Sequence, residues 1–325
     1  MGHASLQETV HRARTEDGAT LALTELSLAS GSRPAPAREA FLLIHGLAQT
    51  RAAFELGELP RRLLEHGARV FAGELRGHGR SRKHPPPDRR WGLAAHLRLD
   101  YPALLSRAAA LAETDSVHLI GHSMGGILGY AYLADPRHLA SLVTFGAPVV
   151  LGLGRPEIRR LARVLTPLLE RFAPSELPLD VLLRIATAFS ILPEVPGWRG
   201  AVRDLVRLGN PHAADAERIR WVLERGAPTT KQVFLELLTI ARSGHATIDG
   251  IDLVETVRRS PLAVMAVVGG KDIFAPPASV APIVGGPGRR RVLELPSAAH
   301  VDVAIGHETR RVADAVYRFC VEERS

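Results

Sequence analysis

Cysteine is all but missing from this chain: Cys320 is the only one in 325 residues. A single thiol closes no internal disulfide, so nothing in the sequence points to an oxidising compartment. Its apolar helical surroundings near the C-terminus suit a small packed side chain. Long apolar runs are missing as well. The longest, such as 262–268, fall far short of the ~20 residues that a membrane-crossing helix needs. Met1–Val10 lacks a basic start followed by an apolar core, so no signal peptide is expected, and a cytoplasmic location follows by default. Aromatic residues are few, at 5%, and they do not interleave with the basic ones. The net charge of +7 is nearly all arginine, spread along the chain. Even Arg289-Arg290-Arg291 abuts an apolar strand pattern. This reads as a solvated arginine-rich surface rather than a nucleic-acid footprint, although it can also concentrate acidic lipids or substrate anions nearby. No His or Cys pair has zinc-ligand spacing on an element that could hold it, and no dinucleotide fingerprint or P-loop is present. No metal and no cofactor are therefore expected. Gly285-Gly286-Pro287-Gly288 reads as a turn, and His78 and His84, in a loop rich in arginine and proline, read as solvated.

What is present suits a globular enzyme-sized fold. Hydrophobic residues make up 46% and charged residues 23%, enough apolar material for one large α/β domain with an insertion or for two ordinary domains. Residues 8–14 and 19–28 read as a hairpin about Glu16-Asp17-Gly18. Phe41-Leu42-Leu43-Ile44 is an unbroken apolar run, as in a strand buried on both faces. Helix and strand then alternate: a helix over 50–65, a strand over 68–72, a helix over 93–112, a strand over 117–120, a helix over 124–134 and a strand over 139–145. Such alternation predicts βαβ units and a mostly parallel sheet. From 150 to 257 the alternation stops. Ile158, Leu161, Leu165, Leu168, Leu169 and Phe172 keep helical spacing, as do Val181, Leu182, Ile185, Ala188 and Phe189, and later Val233, Phe234, Leu237 and Leu238. Thr229 with Gln232 resembles a capping box, and Gly244 a helix stop. Strands resume over 262–268 and 291–295, and a closing helix spans 301–321. The expected division is a core of 1–149 and 258–325 with a helical cap, 150–257.

The chemistry sits at the ends of these strands. Gly121-His122-Ser123-Met124-Gly125 follows a buried strand and opens a helix, the context in which G-x-S-x-G presents a nucleophile. The glycines let neighbouring backbone pass close to the sharp turn, and the helix N-terminus offers positive potential to an oxyanion. A serine hydroxyl needs a base, and the base needs an orienting acid. In this motif class the acid and then the histidine follow in chain order. Asp272 lies just beyond the strand 262–268, at Gly269-Gly270-Lys271-Asp272, and His300 follows the last strand at Pro296-Ser297-Ala298-Ala299-His300. His307, His245 and His212 are lesser candidates for the base, and Asp249 and Asp252 for the acid. Gly146-Ala147-Pro148 leaves no carboxylate after the sixth strand. His45 and His122 fit roles in ordering the loop beside the elbow and packing next to it.

Over nearly its full length the chain resembles the α/β hydrolases. The resemblance is carried by His45-Gly46-Leu47, Arg76-Gly77-His78-Gly79-Arg80-Ser81, the Ser123 elbow, Gly270-Lys271-Asp272 and Ala299-His300-Val301-Asp302. Within that superfamily it is most similar to capped bacterial esterases and lipases of the monoacylglycerol-lipase or acid-lipase kind. The tail 300–306 also resembles polyhydroxyalkanoate synthases, but these carry a cysteine where this chain has Ser123. Glu74 stands where many relatives have aspartate. The resemblance implies an eight-stranded, mostly parallel sheet flanked by helices, with an inserted helical cap. It further implies an oxyanion hole from the backbone N–H groups of Leu47 and Met124. The implied activity is hydrolysis of a small-molecule carboxylic ester, with an apolar acyl chain under a lid of amphipathic helices. Acyl transfer or thioester cleavage on the same residues, and a non-catalytic ligand-binding role, remain the alternatives. Epoxide hydrolases and haloalkane dehalogenases need an aspartate at the elbow, which Ser123 replaces.

Overall fold

The computed structural model describes residues 6–29, 39–83, 90–151, 156–182, 209–210 and 212–324. Eight strands form one sheet: β1 (Gln7–Arg14), β2 (Thr20–Ser27), β3 (Ala40–Ile44), β4 (Arg69–Glu74), β5 (Val117–His122), β6 (Leu139–Phe145), β7 (Ala263–Gly269) and β8 (Arg290–Leu295). Their spatial order is β1-β2-β4-β3-β5-β6-β7-β8. The hairpin β1–β2 and its junction with β4 are antiparallel, and every later pairing is parallel. Burial follows position in the sheet. The central strands β3 and β5 are buried at every residue, whereas β1, at one edge, is largely exposed and carries charged side chains, which blunts an edge against pairing with other chains.

Alternation along each strand divides the apolar side chains between two cores. On β3, Leu42 and Ile44 join Leu104, Leu128 and Val264 on one face, while Phe41 and Leu43 join Phe54, Phe145 and Phe319 on the other. The first core lies under α1 (Tyr101–Ala112) and α2 (Met124–Tyr132). The second is closed by the helices Leu59–Glu65 and Thr309–Cys320, whose last residue, Cys320, is buried.

Several predicted helices are interrupted. The run expected over 50–65 is two pieces, Ala52–Glu55 and Leu59–Glu65. The break falls at Gly57, where the Ala304 carbonyl oxygen lies 2.3 Å from the place a Cβ would occupy. The closing helix is likewise split into Asp302–Ile305 and Thr309–Cys320, with the Thr309 hydroxyl donating to the Gly306 carbonyl at 2.8 Å across the break. The stretch 93–112 is helical throughout but passes through a π turn at His96–Asp100.

Between β6 and β7 the described residues are mainly helical: α3 (Pro156–Phe172), α4 (Ala216–Glu224), α5 (Lys231–Ser243) and α6 (Leu253–Arg259). α3 and α5 pack against each other. The predicted cap at Thr229 belongs one residue later. Thr230 accepts from the Val233 amide at 3.3 Å, because Glu176–Leu177 pairs with Thr229–Thr230 and sets the point at which the helix can start. Gly244 ends α5 in the left-handed region, φ 75°. The helical stripe on α3 is not all inward: Leu168 and Phe172 are 51% and 73% exposed. The residues Ile185, Ala188 and Phe189 lie outside the described residues.

Candidate active site

Four parallel strands, β3, β5, β7 and β8, end at one edge of the sheet, and the residues that follow them meet there, where sites of open α/β sheets form. Ser123 follows β5 with φ 50° and ψ −119°, a backbone state that costs a non-glycine residue of order 1–3 kcal/mol unless its surroundings hold it. They do. The Ser123 amide donates to the Phe145 carbonyl at 2.8 Å, and the Ser123 carbonyl accepts from Gly126 and Ile127 at 2.9 and 3.0 Å. The flanking glycines make the turn possible. A Cβ on Gly121 would stand 2.6 Å from the backbone of Gly125 and Gly126, and one on Gly125 would stand 2.6 Å from the Ile44 carbonyl oxygen.

The hydroxyl of Ser123 points to His300, with Oγ and Nε2 2.9 Å apart. The other ring nitrogen, Nδ1, donates to Asp272 Oδ2 at 2.9 Å. Asp272 Oδ1 in turn accepts from the amides of Phe274 and Ala275 at 2.8 and 2.9 Å. Asp272 and His300 are buried, while Ser123 is partly open. Burial alone would raise the Asp272 carboxyl, but the His300 imidazole and the two amides outweigh it and hold the group below the usual carboxylate range. Gly146, with φ 56°, floors the pair: a Cβ there would lie 3.2 Å from Asp272 Oδ2 and 3.3 Å from His300 Nδ1.

The loop after β3 lies against the elbow, with the Cβ of Ser123 2.9 Å from where a Gly46 Cβ would be. Gln49 holds this loop. Its Oε1 accepts from the Gly46 amide at 2.9 Å and faces His122 Nδ1 at 2.8 Å. Burial, with the nearby His300, pushes the His122 imidazole down to about 3, so it is neutral. Behind the loop, His45 donates from Nδ1 to the Gly46 carbonyl and accepts the Leu75 amide at Nε2. Among the described residues, no backbone acceptor takes the amide of Leu47 or of Met124.

His78 is not solvated. It is 1% exposed, packs its ring 4.7 Å from that of His45, and is pushed by burial down to about 4. The reason lies next to it: Arg76 is buried between Asp100 and Asp17, at 2.8 and 2.7 Å, and draws the whole loop inward. Glu74 accepts the Arg80 amide at 3.1 Å and holds the same loop from β4. His84 lies outside the described residues.

The lesser candidates fall elsewhere. His307 and His212 are exposed, and His307 pairs with Asp215 at 3.6 Å. His245 is exposed beside Ser243. Asp252 caps α6 through the Glu255 amide, and Asp249 pairs with Arg98. Two residues of the site escape sequence reasoning. Gln49 has no motif that marks it, and Phe274, 40% exposed, stands with its ring 5.1 Å from that of His300. Its only sequence signal is its place two residues after Asp272.

The family model described as alpha/beta hydrolase fold matches residues 39–172. None of the curated proteins matches the chain. Among solved structures, a hydrolase from Pseudomonas aeruginosa is 21% identical, with TM-score 0.62 over 96% of this chain and 98% of that one. A monoacylglycerol lipase from Paleococcus ferrophilus is 16% identical, with TM-score 0.62 over 93% and 98%. A thermophilic esterase from Thermogutta terrifontis is 18% identical, with TM-score 0.62 over 98% and 100%. With the family match over 39–172, the strand order and the strained serine turn on β5, the chain has the α/β-hydrolase fold.

Proposed function

We propose that this protein is a serine hydrolase that cleaves a carboxylic ester through an acyl-enzyme on Ser123. The observation that carries the reading is the unbroken line from Ser123 Oγ through His300 to Asp272, each step 2.9 Å, with the serine held in a strained turn at a helix N-terminus. His300 Nε2 takes the hydroxyl proton as Oγ attacks the ester carbonyl, and Asp272 stabilises the imidazolium that forms. The amides of Leu47 and Met124 receive the oxyanion; losing one such donor costs about 3 kcal/mol of barrier. His300 then hands its proton to the departing alkoxide. A water, deprotonated by the same imidazole, attacks the acyl carbonyl, and the imidazolium returns that proton to Ser123 Oγ as the carboxylic acid departs. No step needs a metal or a redox partner.

Two features favour an apolar acyl or alcohol group. The half-exposed ring of Phe274 beside His300 offers it a contact, and the segment 150–257, read as a cap, brings amphipathic helices to the molecule. The esterase and the lipase among the similar structures fit the same reading. The test is initial rates on p-nitrophenyl esters from C2 to C16 for the wild type and Ser123→Ala. The expected result is turnover that falls by several orders of magnitude in Ser123→Ala without loss of fold. Activity retained in that variant removes Ser123 from the mechanism.

A further inference from the structure

Two residues beyond His300, the carboxylate of Asp302 is buried, at 1% exposure, and it joins two parts of the chain that are distant in sequence. Its Oδ2 accepts the amide of Ala299, in the turn that carries His300, at 2.7 Å. The same oxygen accepts the amide of Asn210, in the segment inserted between β6 and β7, at 2.8 Å. The Asn210 side chain completes the junction by donating from Nδ2 to the Ser297 carbonyl at 2.6 Å. Asp302 Oδ1 has no hydrogen-bond partner among the described residues. It lies against Gly209, where a Cβ would come within 3.1 Å of it.

A buried carboxylate with one bare oxygen is an expensive way to fill space. Burial pushes this carboxyl up to about 6 against the pull of the Ala299 and Asn210 amides. The titratable groups that act on it are Asp272, from the loop after β7, which raises it, and His300, from its own turn, which lowers it. From the described residues of the inserted segment, it accepts the Asn210 amide. A simple spacer needs neither a charge nor amides drawn from two separate segments.

We propose that Asp302 is a positioning residue for the base: its carboxylate locks the His300-bearing turn onto the inserted segment at Asn210, so that the placement of His300 depends on the docking of that segment. The idea rests on the reading of His300 as the base of Ser123, and it adds a residue that touches neither substrate nor reacting atoms. In Asp302→Ala both amides lose their acceptor and the turn is free to move. A shift of about 1 Å at a base can cost on the order of 100-fold in rate. In Asp302→Asn the side-chain oxygen can still accept both amides while the charge is gone, so geometry and charge come apart.

The experiment uses the full chain and p-nitrophenyl butyrate. Phosphonylation of wild-type Ser123 by a fluorophosphonate, together with an inactive Ser123→Ala, first establishes the underlying reading; failure there is failure of the triad, not of Asp302. Given that, Asp302→Ala is expected to lose kcat by roughly 100-fold with KM little changed, and amide exchange across 209–220 is expected to quicken. Asp302→Asn is expected to recover most of kcat. An Asp302→Ala enzyme within twofold of wild type overturns the proposal, as does an Asp302→Asn enzyme as slow as the alanine variant. Should the alanine variant fail to fold, an Asp302→Asn enzyme that keeps less than about a tenth of wild-type kcat overturns it by itself.

Discussion

Replacing Asp272 by asparagine tests the proton bookkeeping of the site more sharply than removing it. Asp272 uses its two oxygens differently: Oδ1 accepts the amides of Phe274 and Ala275, and Oδ2 accepts from His300 Nδ1. An asparagine must keep its carbonyl oxygen on the two backbone donors, since turning it over would set its NH2 against two N–H groups. Its NH2 is thereby aimed at His300 Nδ1, which must accept instead of donate. The ring proton moves to Nε2, the nitrogen that faces Ser123 Oγ at 2.9 Å, and the base is lost by tautomer rather than by displacement. In a serine protease the equivalent change costs about 10⁴ in kcat, or about 5 kcal/mol of barrier, and the same order is expected here. Asp272→Ala imposes no such orientation, so it is expected to be slow but faster than Asp272→Asn. Steady-state rates on p-nitrophenyl butyrate at pH 8, with thermal unfolding as a check on the fold, decide the matter. An asparagine variant within tenfold of wild type, or one faster than the alanine variant, refutes the argument.

Phe274→Ala should lower kcat/KM on a C8 ester relative to a C2 ester by about 5- to 20-fold, the worth of one aromatic contact with an acyl chain; an unchanged C8-to-C2 ratio places the chain elsewhere. Stability should fall on acidification below about pH 6.5, because His78 and His122 are buried neutral, with pKa values of about 4 and about 3, and only the unfolded chain binds their protons in that range. Each contributes a loss of about 1.4 kcal/mol per pH unit from the unfolded histidine value down to its folded one. Asp302, raised to about 6, acts with the opposite sign between about pH 6 and the ordinary aspartate value, and offsets roughly one of the two. Denaturant unfolding from pH 7 to 4 measures the sum, and a flat profile sinks the assignment of both histidines as neutral.

The parts of the site that could be read in advance are those with local grammar. Ser123 is announced by glycines at fixed offsets between a buried strand and a helix, and each glycine is needed where backbone passes within 2.6 Å of its missing Cβ. Asp272 and His300 are placed by strand endings, which an unbroken apolar run marks well. Thr229 and Thr230 have the same capping chemistry, so the correct one is settled only by the short pairing with Glu176–Leu177. The α3 stripe shows the limit of periodicity: it marks Leu168 and Phe172 as one face of a helix but not what, if anything, covers that face.

His78 shows why composition misleads at such a site. A loop of arginines, glycines and histidines beside prolines reads as solvated, because charge is costly to bury without partners. Here the partners come from elsewhere in the chain: Asp17 from the hairpin turn and Asp100 from the end of the π turn. Together they neutralise Arg76 at 2% exposure. Once Arg76 is inside, His78 must follow, and its ring comes to rest against His45, which holds the Gly46 carbonyl and the Leu75 amide. The loop that looks like surface is thus the back wall of the segment that would present the Leu47 amide to an oxyanion. Asp302 follows the same logic. Its neighbours in sequence suggest only the tail of a histidine motif, and its work depends on Asn210, which lies 92 positions away. Buried charges in this fold acquire meaning through partners brought by topology, so reading them takes the sheet order as well as the local pattern.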